Sequence, residues 1–427
     1  MREYLLMASV AAVVTYLLVP LVRVFALRIG AAPEIRERDV HTVRTPRLGG
    51  LAMYAGMLAG LFVASRLDHI GPKLADPRMG DGHTVIALAL AGGIIVLVGF
   101  LDDWWGMDAF VKLGGQIAAA GLLVVFKLTL LWIPLPNGGT VSLDNTLTTI
   151  ITILVVVVAI NAVNFVDGLD GLAAGIVCIA AMATFAWTVA LTDSLDQGRL
   201  SVTAAITAIL IGMCLGFLPH NFHPAKIFMG DTGAMLIGLV LATSVVTVTG
   251  TVDYNGAAGD INRFPVVLPI LLPLAVMVLP LADLIMAVVR RTSYGKSPFA
   301  PDRGHLHHRL LQIGHSHRRT VLIMYAWTFL FAATVVGLSV GGVPLIVFPV
   351  VVLLALAVLV MMSLPMWRSG RGTRGSGGAG GHAVPRGPVG GGGTGAAAAT
   401  PATAEAAGEQ GVAGSAPASR AAAGTGG

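Results

Sequence analysis

The sequence predicts an all-α polytopic integral membrane protein with about 11 transmembrane helices. Hydrophobic residues make up 55% of the 427 residues and charged residues only 11%, a composition that excludes an ordinary soluble globular enzyme. Apolar runs long enough to cross a hydrocarbon core of about 30 Å recur through the first 367 residues. Because lipid offers the backbone no hydrogen-bond partners, each run is expected to be a helix.

The apolar runs are bounded by glycine, proline or charged residues, which commonly end helices. The first run has no small-residue cleavage site, so we expect a retained helix rather than a removed signal peptide. Cys178 and Cys214 lie inside runs, which favours small buried hydrophobes over a disulfide or a thiolate metal site. The runs cover residues 5–28, 48–66, 84–101, 109–126, 146–163, 171–191, 200–218, 232–250, 264–290, 320–340 and 343–363.

The chain is predicted to consist of a multi-spanning membrane domain, residues 1–367, and a tail, residues 368–427. The tail holds 19 of the 54 glycines and almost no large apolar side chains, so burial cannot offset its chain entropy. We expect it to be disordered and to carry no chemistry. It contributes +3 of the net charge of +5, and the weakly basic body argues against a nucleic-acid binder.

Chemically versatile residues are concentrated in the loops of one membrane face. The loops after the first, third, fifth, seventh and ninth runs share that face and contain 11 Lys and Arg residues, against 6 in the opposite loops. The positive-inside rule makes that face and the tail cytoplasmic, in the inner (plasma) membrane of the cell. The active site is therefore expected in the cytoplasmic loops, at residues 34–47, 102–108, 164–170, 220–231 and 291–319.

Adjacent carboxylates stand at the end of the third run, at Asp102 and Asp103, with Asp108 shortly after. The pair is either two solvated loop acids or a site for Mg²⁺ and phosphate, because hard oxygen ligands suit Mg²⁺. Lys112 and Gln116 follow one helical turn apart on the next run. The lysine either snorkels to the membrane edge or contacts a phosphate.

Two asparagines and two aspartates recur at three-residue spacing across the end of the fifth run: Asn161, Asn164, Asp167 and Asp170. This spacing places such side chains on one face of a helical turn, and the glycine after each aspartate permits a tight bend. Helix capping explains one or two of these groups but not four, so a functional cluster is favoured.

A further acid, Asp231, stands at the predicted N-terminus of the eighth run, in a polar segment that begins near Asn221. A helix N-terminus attracts phosphate, and a carboxylate there could hold Mg²⁺. The alternative is that Asp231 or Thr232 is only an N-cap.

The most histidine-rich stretch of the chain contains Arg303, His305, His307, His308 and Arg309. The alternative without a specific function is that this stretch is a basic juxtamembrane loop. Zinc binding is disfavoured because no thiolate lies near and the acids of the same face suit Mg²⁺. Recognition of a phosphate or diphosphate fits better, since a guanidinium can bind two oxygens at once.

Residues 45–50, Thr-Pro-Arg-Leu-Gly-Gly, begin the second run. Proline suits the first turn of a helix, and the glycines allow close helix packing. This motif could therefore be purely structural.

Together these residues describe a site of carboxylates and cations against a bilayer, as phosphoryl transfer to a lipid requires. At residues 45–50, 102–112, 161–170, 228–233 and 305–309 the chain resembles the polyprenyl-phosphate N-acetylhexosamine-1-phosphate transferase family. The resemblance covers roughly residues 1 to 365. It is to the bacterial branch that uses UDP-N-acetylglucosamine and feeds cell-wall or surface polysaccharide synthesis.

The resemblance implies transfer of N-acetylglucosamine-1-phosphate from UDP-N-acetylglucosamine to undecaprenyl or decaprenyl phosphate. The products would be polyprenyl-diphosphate-N-acetylglucosamine and UMP. It also implies Mg²⁺ as cofactor, with Mn²⁺ as the alternative, and a homodimer as a candidate assembly. Asp231 would be the principal metal ligand and Asp103 a second, while Asp102 and Asp103 would place or deprotonate the lipid phosphate.

The remaining roles implied by the resemblance concern the donor substrate. Asn164, Asp167 and Asp170 would shape the nucleotide pocket, and the three histidines would bind the sugar-phosphate portion. The implied catalytic residues are Asp102, Asp103, Asp167 and Asp170. The implied substrate-binding residues are Lys112, Asn161, Asn164, Asn221, Arg303, His305, His307, His308 and Arg309.

Three alternatives remain. Muramoyl-pentapeptide transferases of the same superfamily resemble Pro-x-His-His-His-Phe at the histidine loop, whereas this chain has Gly-His-Leu-His-His-Arg at residues 304–309, which favours the N-acetylglucosamine branch. Asp283, inside the ninth run, resembles an acid found in the N-acetylglucosamine branch, which also favours that branch. The second alternative, a secondary transporter, would place polar groups near the bilayer midplane and repeat its halves. In this sequence the acids cluster in loops on one face and no internal repeat is found. A structural scaffold would not need acid- and histidine-bearing loops on one face.

Overall fold

The structure, a computed structural model, describes residues 1–31, 45–76, 82–130, 132–134, 140–195, 198–249 and 316–340, with isolated positions between 292 and 354. Over these residues the chain is helical apart from one short hairpin. The ninth predicted run with Asp283, the histidine loop, most of the eleventh run and the predicted tail lie outside the described residues.

The elements follow the predicted runs closely along the chain. The two strands form an antiparallel pair in which Trp132 lies opposite Ser142. The elements are α1 (Arg2–Arg28), α2 (Gly49–Arg66), α3 (Gly71–Leu74), α4 (Thr84–Trp105), α5 (Ala109–Val125), β1 (Trp132–Pro134), β2 (Thr140–Ser142), α6 (Asn145–Val166), α7 (Leu172–Leu195), α8 (Gly198–Asn221), α9 (Gly230–Thr249) and α10 (His317–Val340).

Seven of the described helices are long and apolar enough to cross a membrane: α1, α4, α6, α7, α8, α9 and α10. They agree with the predicted polytopic membrane protein. The second and fourth predicted runs correspond to α2 and α5, which have 18 and 17 residues and are not among the seven. Because the ninth run and most of the eleventh lie outside the described residues, the total of about 11 spans stays a prediction.

The central helix of the described part is α9, which packs against α2, α4, α6, α7 and α8. Its side chains are almost all buried, whereas α1 exposes much of its apolar surface. Apolar side chains gain little by leaving lipid, so helices in membranes associate through close packing at small residues. Asp231 thus lies in the first turn of the helix that packs against five others.

Small residues also join α1 to α8. Gly212 and Gly216 are spaced four residues apart on α8 and face α1. A side-chain carbon at either position would overlap the backbone of Ala8 or Ala12. The two helices therefore approach backbone to backbone, as in the small-xxx-small packing of membrane helices.

Polar contacts are found at both ends of the helices. At one end, Glu3 accepts hydrogen bonds from the backbone N–H of Ile70 at 3.1 Å, and Lys73 Nζ donates to Ser201 Oγ at 2.8 Å. At the other end, the C-terminal ends of α4, α6 and α8 meet the first turns of α5 and α9. The predicted candidate residues lie at this second end.

Candidate active site

Four helices contribute polar side chains to one cluster at the N-terminus of α9. Asp102 lies in the last turn of α4, Lys112 in the first turn of α5, Asn164 in the last turn of α6 and Asp231 in the first turn of α9. The packing of α4 and α6 against α9, and of α5 against α4 and α6, brings these turns together. Residues up to 129 positions apart in sequence thus form a single site.

Lys112 is the centre of this cluster. Its Nζ donates to Asp102 Oδ2 at 3.1 Å and to Asp231 Oδ2, so one ammonium joins two carboxylates. With the Asn164 amide assigned the orientation that satisfies both neighbours, its nitrogen donates to Asp231 Oδ1 at 2.8 Å and its oxygen accepts from Lys112 Nζ at 3.2 Å. The charged side chains are mostly shielded from solvent, with exposed fractions of 16–27%, so their mutual attraction is stronger than at an open surface.

Asp103 has a different position from its neighbour Asp102. Its Oδ1 accepts from the backbone N–H of Asp231 at 3.0 Å, and its Oδ2 accepts from the N–H and hydroxyl of Thr232 at 3.0 and 2.6 Å. Asp103 therefore caps the N-terminus of α9 from another helix. Asp102 instead accepts from the backbone N–H of Met107 at 2.8 Å and shares Lys112 with Asp231. Asp103 as the second metal ligand stays a prediction.

The motif at residues 45–50 fixes the segment that precedes Asp231. Phe228 N donates to Pro46 O at 2.9 Å, Gly49 N to Phe228 O at 3.0 Å and Gly50 N to Met229 O at 3.0 Å. A side-chain carbon at Gly50 would overlap the backbone at the start of α9. These contacts agree with the structural interpretation of the motif.

Asp167 follows the last turn of α6 and is half-buried beside the cluster. Burial and the negative charges of Asp231 and Asp103 raise the pKa of Asp167 to about 8, although the Arg47 charge partly opposes this effect. Without a bound cation, the protonated carboxyl therefore predominates at neutral pH. A neutral Asp167 can donate a hydrogen bond as well as accept one.

Asp170 connects three elements outside the Lys112 cluster. Its Oδ2 accepts from the backbone N–H of Ala225 at 3.1 Å and lies 2.8 Å from His223 Nδ1. Its backbone N–H donates to Nε2 of His317, at the start of α10, at 3.1 Å, and the two histidine rings stack at 4.4 Å. These contacts join Asp170 to residue 223 and to the start of α10, and its catalytic role stays a prediction.

The predicted substrate-binding amides Asn221 and Asn161 contact protein groups. Asn221 is buried, accepts from Gly171 N at 3.0 Å and donates to Ile227 O at 3.0 Å. Asn161 Nδ2 donates to the buried Gln116 Oε1 at 2.6 Å, one turn deeper than Lys112. These bonds tie together the segments that carry the cluster, and a direct role in substrate binding stays a prediction.

The structure therefore brings together part of the predicted site. Arg303, His305, His307, His308 and Arg309 lie outside the described residues, so their predicted roles stay predictions. Sequence reasoning considered Thr232 only as a possible N-cap and assigned no role to His223 or His317. The side-chain contacts of all three residues join segments distant in sequence, so no local pattern indicated them.

Comparison with known proteins finds similarity over most of the chain. The family described as glycosyl transferase family 4 matches residues 85–249. The decaprenyl-phosphate N-acetylglucosaminephosphotransferase of Mycobacterium leprae (strain TN) is 44% identical over 339 residues, which cover 78% of this chain and 83% of that protein. The probable undecaprenyl-phosphate N-acetylglucosaminyl 1-phosphate transferase of Bacillus subtilis (strain 168) is 30% identical over 374 residues, which cover 82% of this chain and 89% of that protein.

A protein from the alternative branch is also similar. The phospho-N-acetylmuramoyl-pentapeptide-transferase of Pelotomaculum thermopropionicum is 32% identical over 341 residues, which cover 76% of this chain and 94% of that protein. Its identity is lower than that of the Mycobacterium leprae protein over a similar share of this chain.

Asp103 and Asp102 should differ in their effect on the thermal stability of the protein. Asp103→Ala should lower the thermal midpoint because two N–H groups of α9 lose their acceptor, a loss that typically costs about 0.5–2 kcal/mol for a helix cap. Asp102→Ala is the matched control, because it removes one loop hydrogen bond, from Met107 N, but leaves α9 capped and Lys112 paired with Asp231 and Asn164. Thermal melts of both variants in detergent measure the difference. Equal midpoints, or a lower one for Asp102→Ala, would contradict the capping role.

The second prediction concerns the pH dependence that Asp167 confers. Its folded-state pKa of about 8 lies above the unfolded value of about 3.9, so its ionisation destabilises the fold increasingly from about pH 4 to pH 8. Asp167→Asn mimics the protonated acid, and its thermal midpoint should exceed that of the wild type by a margin that grows from pH 5 to pH 8 in chelator-treated protein. Asp68→Asn, at an exposed position, is the control and should show no such growth. A margin that is constant with pH would refute the shifted pKa.

Proposed function

Because the chain belongs to the family that includes the decaprenyl-phosphate N-acetylglucosaminephosphotransferases, we propose that it transfers N-acetylglucosamine-1-phosphate to a polyprenyl phosphate. The donor proposed is UDP-N-acetylglucosamine, and the products are polyprenyl-diphosphate-N-acetylglucosamine and UMP. The observation that carries the proposal is the Lys112 cluster, in which two carboxylates, one ammonium and one amide meet at a helix N-terminus. A phosphoryl transfer needs such positioning and charge more than covalent chemistry.

The choice of donor follows from the relatives. Proteins named as decaprenyl-phosphate N-acetylglucosaminephosphotransferases are 43–44% identical to this chain, against 32% for the pentapeptide transferase. A transporter fits less well, because the described cluster lies at the ends of the helices rather than near the bilayer midplane. We also propose that this end faces the cytoplasm, since the loops of its face are richer in Lys and Arg. The homodimer stays a prediction.

The residues present fit a divalent cation with oxygen ligands. Asp231 and Asp102 offer carboxylate oxygens to one small volume, and the amide of Asn164 lies beside them. Mg²⁺ and Mn²⁺ prefer such ligands. The Lys112 ammonium lies between the carboxylates, which supports the view that this volume stabilises positive charge. Mg²⁺ held by Asp231 and Asp102 would neutralise the oxygens of the donor diphosphate.

In the proposed reaction, an oxygen of the lipid phosphate attacks the β-phosphorus of the donor. A new P–O bond forms, and the bond from the β-phosphorus to the bridging oxygen breaks, so that UMP leaves with that oxygen and its electron pair. The lipid phosphate is already ionised near pH 7, so the reaction does not depend on Asp102 as a base. Lys112 supplies a cation close to the reacting oxygens, and Asn164 and Asp102 hold that ammonium in place.

The third prediction tests this function directly. The purified protein in detergent, given a polyprenyl phosphate, UDP-N-acetylglucosamine and Mg²⁺, should release UMP. EDTA should abolish the release, and added Mg²⁺ should restore it. UDP-N-acetylmuramoyl-pentapeptide is the control donor, and no UMP should be released from it.

Each contrary result points to a different correction. UMP release from the pentapeptide donor alone would agree with the proposed phosphoryl transfer but contradict UDP-N-acetylglucosamine as the donor. Full turnover in EDTA would overturn the cofactor, and no UMP from either donor would overturn the proposed function.

A further inference from the structure

Arg47 lies on a rigid segment beside the metal-binding carboxylates proposed above. Its backbone N–H donates to Ala31 O at 3.1 Å, just beyond the end of α1. The residue before it and the glycine two positions after it are bonded to the backbone of Phe228. The Cα of Arg47 is therefore fixed relative to the segment that leads into Asp231.

The side chain of Arg47 contrasts with its surroundings. Within residues 45–50 it is the exposed position, and the other five residues are buried. No described residue forms a hydrogen bond or an ion pair with its guanidinium. A fixed backbone with a solvent-facing cation is an arrangement suited to binding an anion from solution.

The charge of Arg47 acts on the candidate active site. It attracts the carboxylates of Asp103 and Asp167, so the guanidinium lies on the same side of the protein as these acids. The other described cation at the cluster, Lys112, already contacts Asp102 and Asp231. Of these two described cations, Arg47 is consequently the one that can receive substrate oxygens without first releasing a carboxylate.

We infer that Arg47 binds the phosphate oxygens of a substrate at the mouth of the active site; this inference rests on the proposed function. The donor diphosphate and the lipid phosphate present the same chemistry, namely anionic oxygens that a guanidinium can bind in bidentate fashion. A role limited to balancing the charges of Asp103 and Asp167 would instead alter stability and leave substrate affinity unchanged.

The test compares Arg47→Gln and Arg47→Lys with the wild type. Arg28→Gln is the matched control, because Arg28 is an exposed cation at the end of α1 on the same side of the protein. UMP release is measured with each substrate varied while the other is saturating, and thermal midpoints are recorded for every variant.

Arg47→Gln should raise the KM of one substrate at least tenfold while kcat changes less than threefold and the thermal midpoint stays near that of the wild type. The substrate whose KM rises identifies the source of the phosphate. Arg47→Lys should recover part of the affinity, because it keeps the charge but loses the bidentate geometry. Arg28→Gln should behave as the wild type.

Unchanged KM values for both substrates would overturn the inference, as would an equal rise for Arg28→Gln or a change confined to the thermal midpoint. Equilibrium binding of UDP-N-acetylglucosamine and of the polyprenyl phosphate by calorimetry gives the same comparison without turnover. An inactive wild type would therefore contradict the proposed function, while the binding data would still decide the role of Arg47.

Discussion

The capping of α9 is the constraint on which the site depends. The first N–H groups of this helix have no partners within the helix, and Thr232 is fully buried in protein, where an unpaired N–H is costly. Asp103 supplies both oxygens to these groups from α4. The bonds fix α4 against α9, and Asp102, one residue earlier, is thereby aligned with Asp231 so that Lys112 can contact both.

The rest of the described structure supports that junction from two sides. The motif at residues 45–50 holds the segment before Asp231 through backbone hydrogen bonds, and the absence of a side chain at Gly50 and Gly99 lets α2 and α4 approach Thr232. On the other side, Asp170 ties the segment around His223 to the start of α10. Polar residues that look alike in the sequence thus divide into those of the Lys112 cluster and those that hold the segments around it.

Much of this could be predicted from the sequence, because hydropathy and loop parity depend only on local composition. Seven helices long and apolar enough to cross a membrane, and the shared end of Asp102, Asn164 and Asp231, agree with the predictions. The backbone hydrogen bonds at residues 45–50 agree with the packing interpretation of that motif. The different contacts of the two adjacent acids could not be predicted: Asp102 binds Lys112, whereas Asp103 caps α9. The capping contact joins residues 128 positions apart in sequence. The β1–β2 hairpin was missed because its strands have only three residues each, too short for a periodic pattern.

In the proposed reaction, Asp231 rather than its capping partner Asp103 is the residue on which turnover depends. The most direct measurement is the kcat of Asp231→Asn for UMP release at saturating substrates, together with its thermal midpoint. Because Asp103 bonds the backbone of residue 231 rather than its side chain, the account predicts a folded protein with wild-type stability and a kcat reduced at least a thousandfold. Turnover within tenfold of the wild type by a stable variant would contradict it.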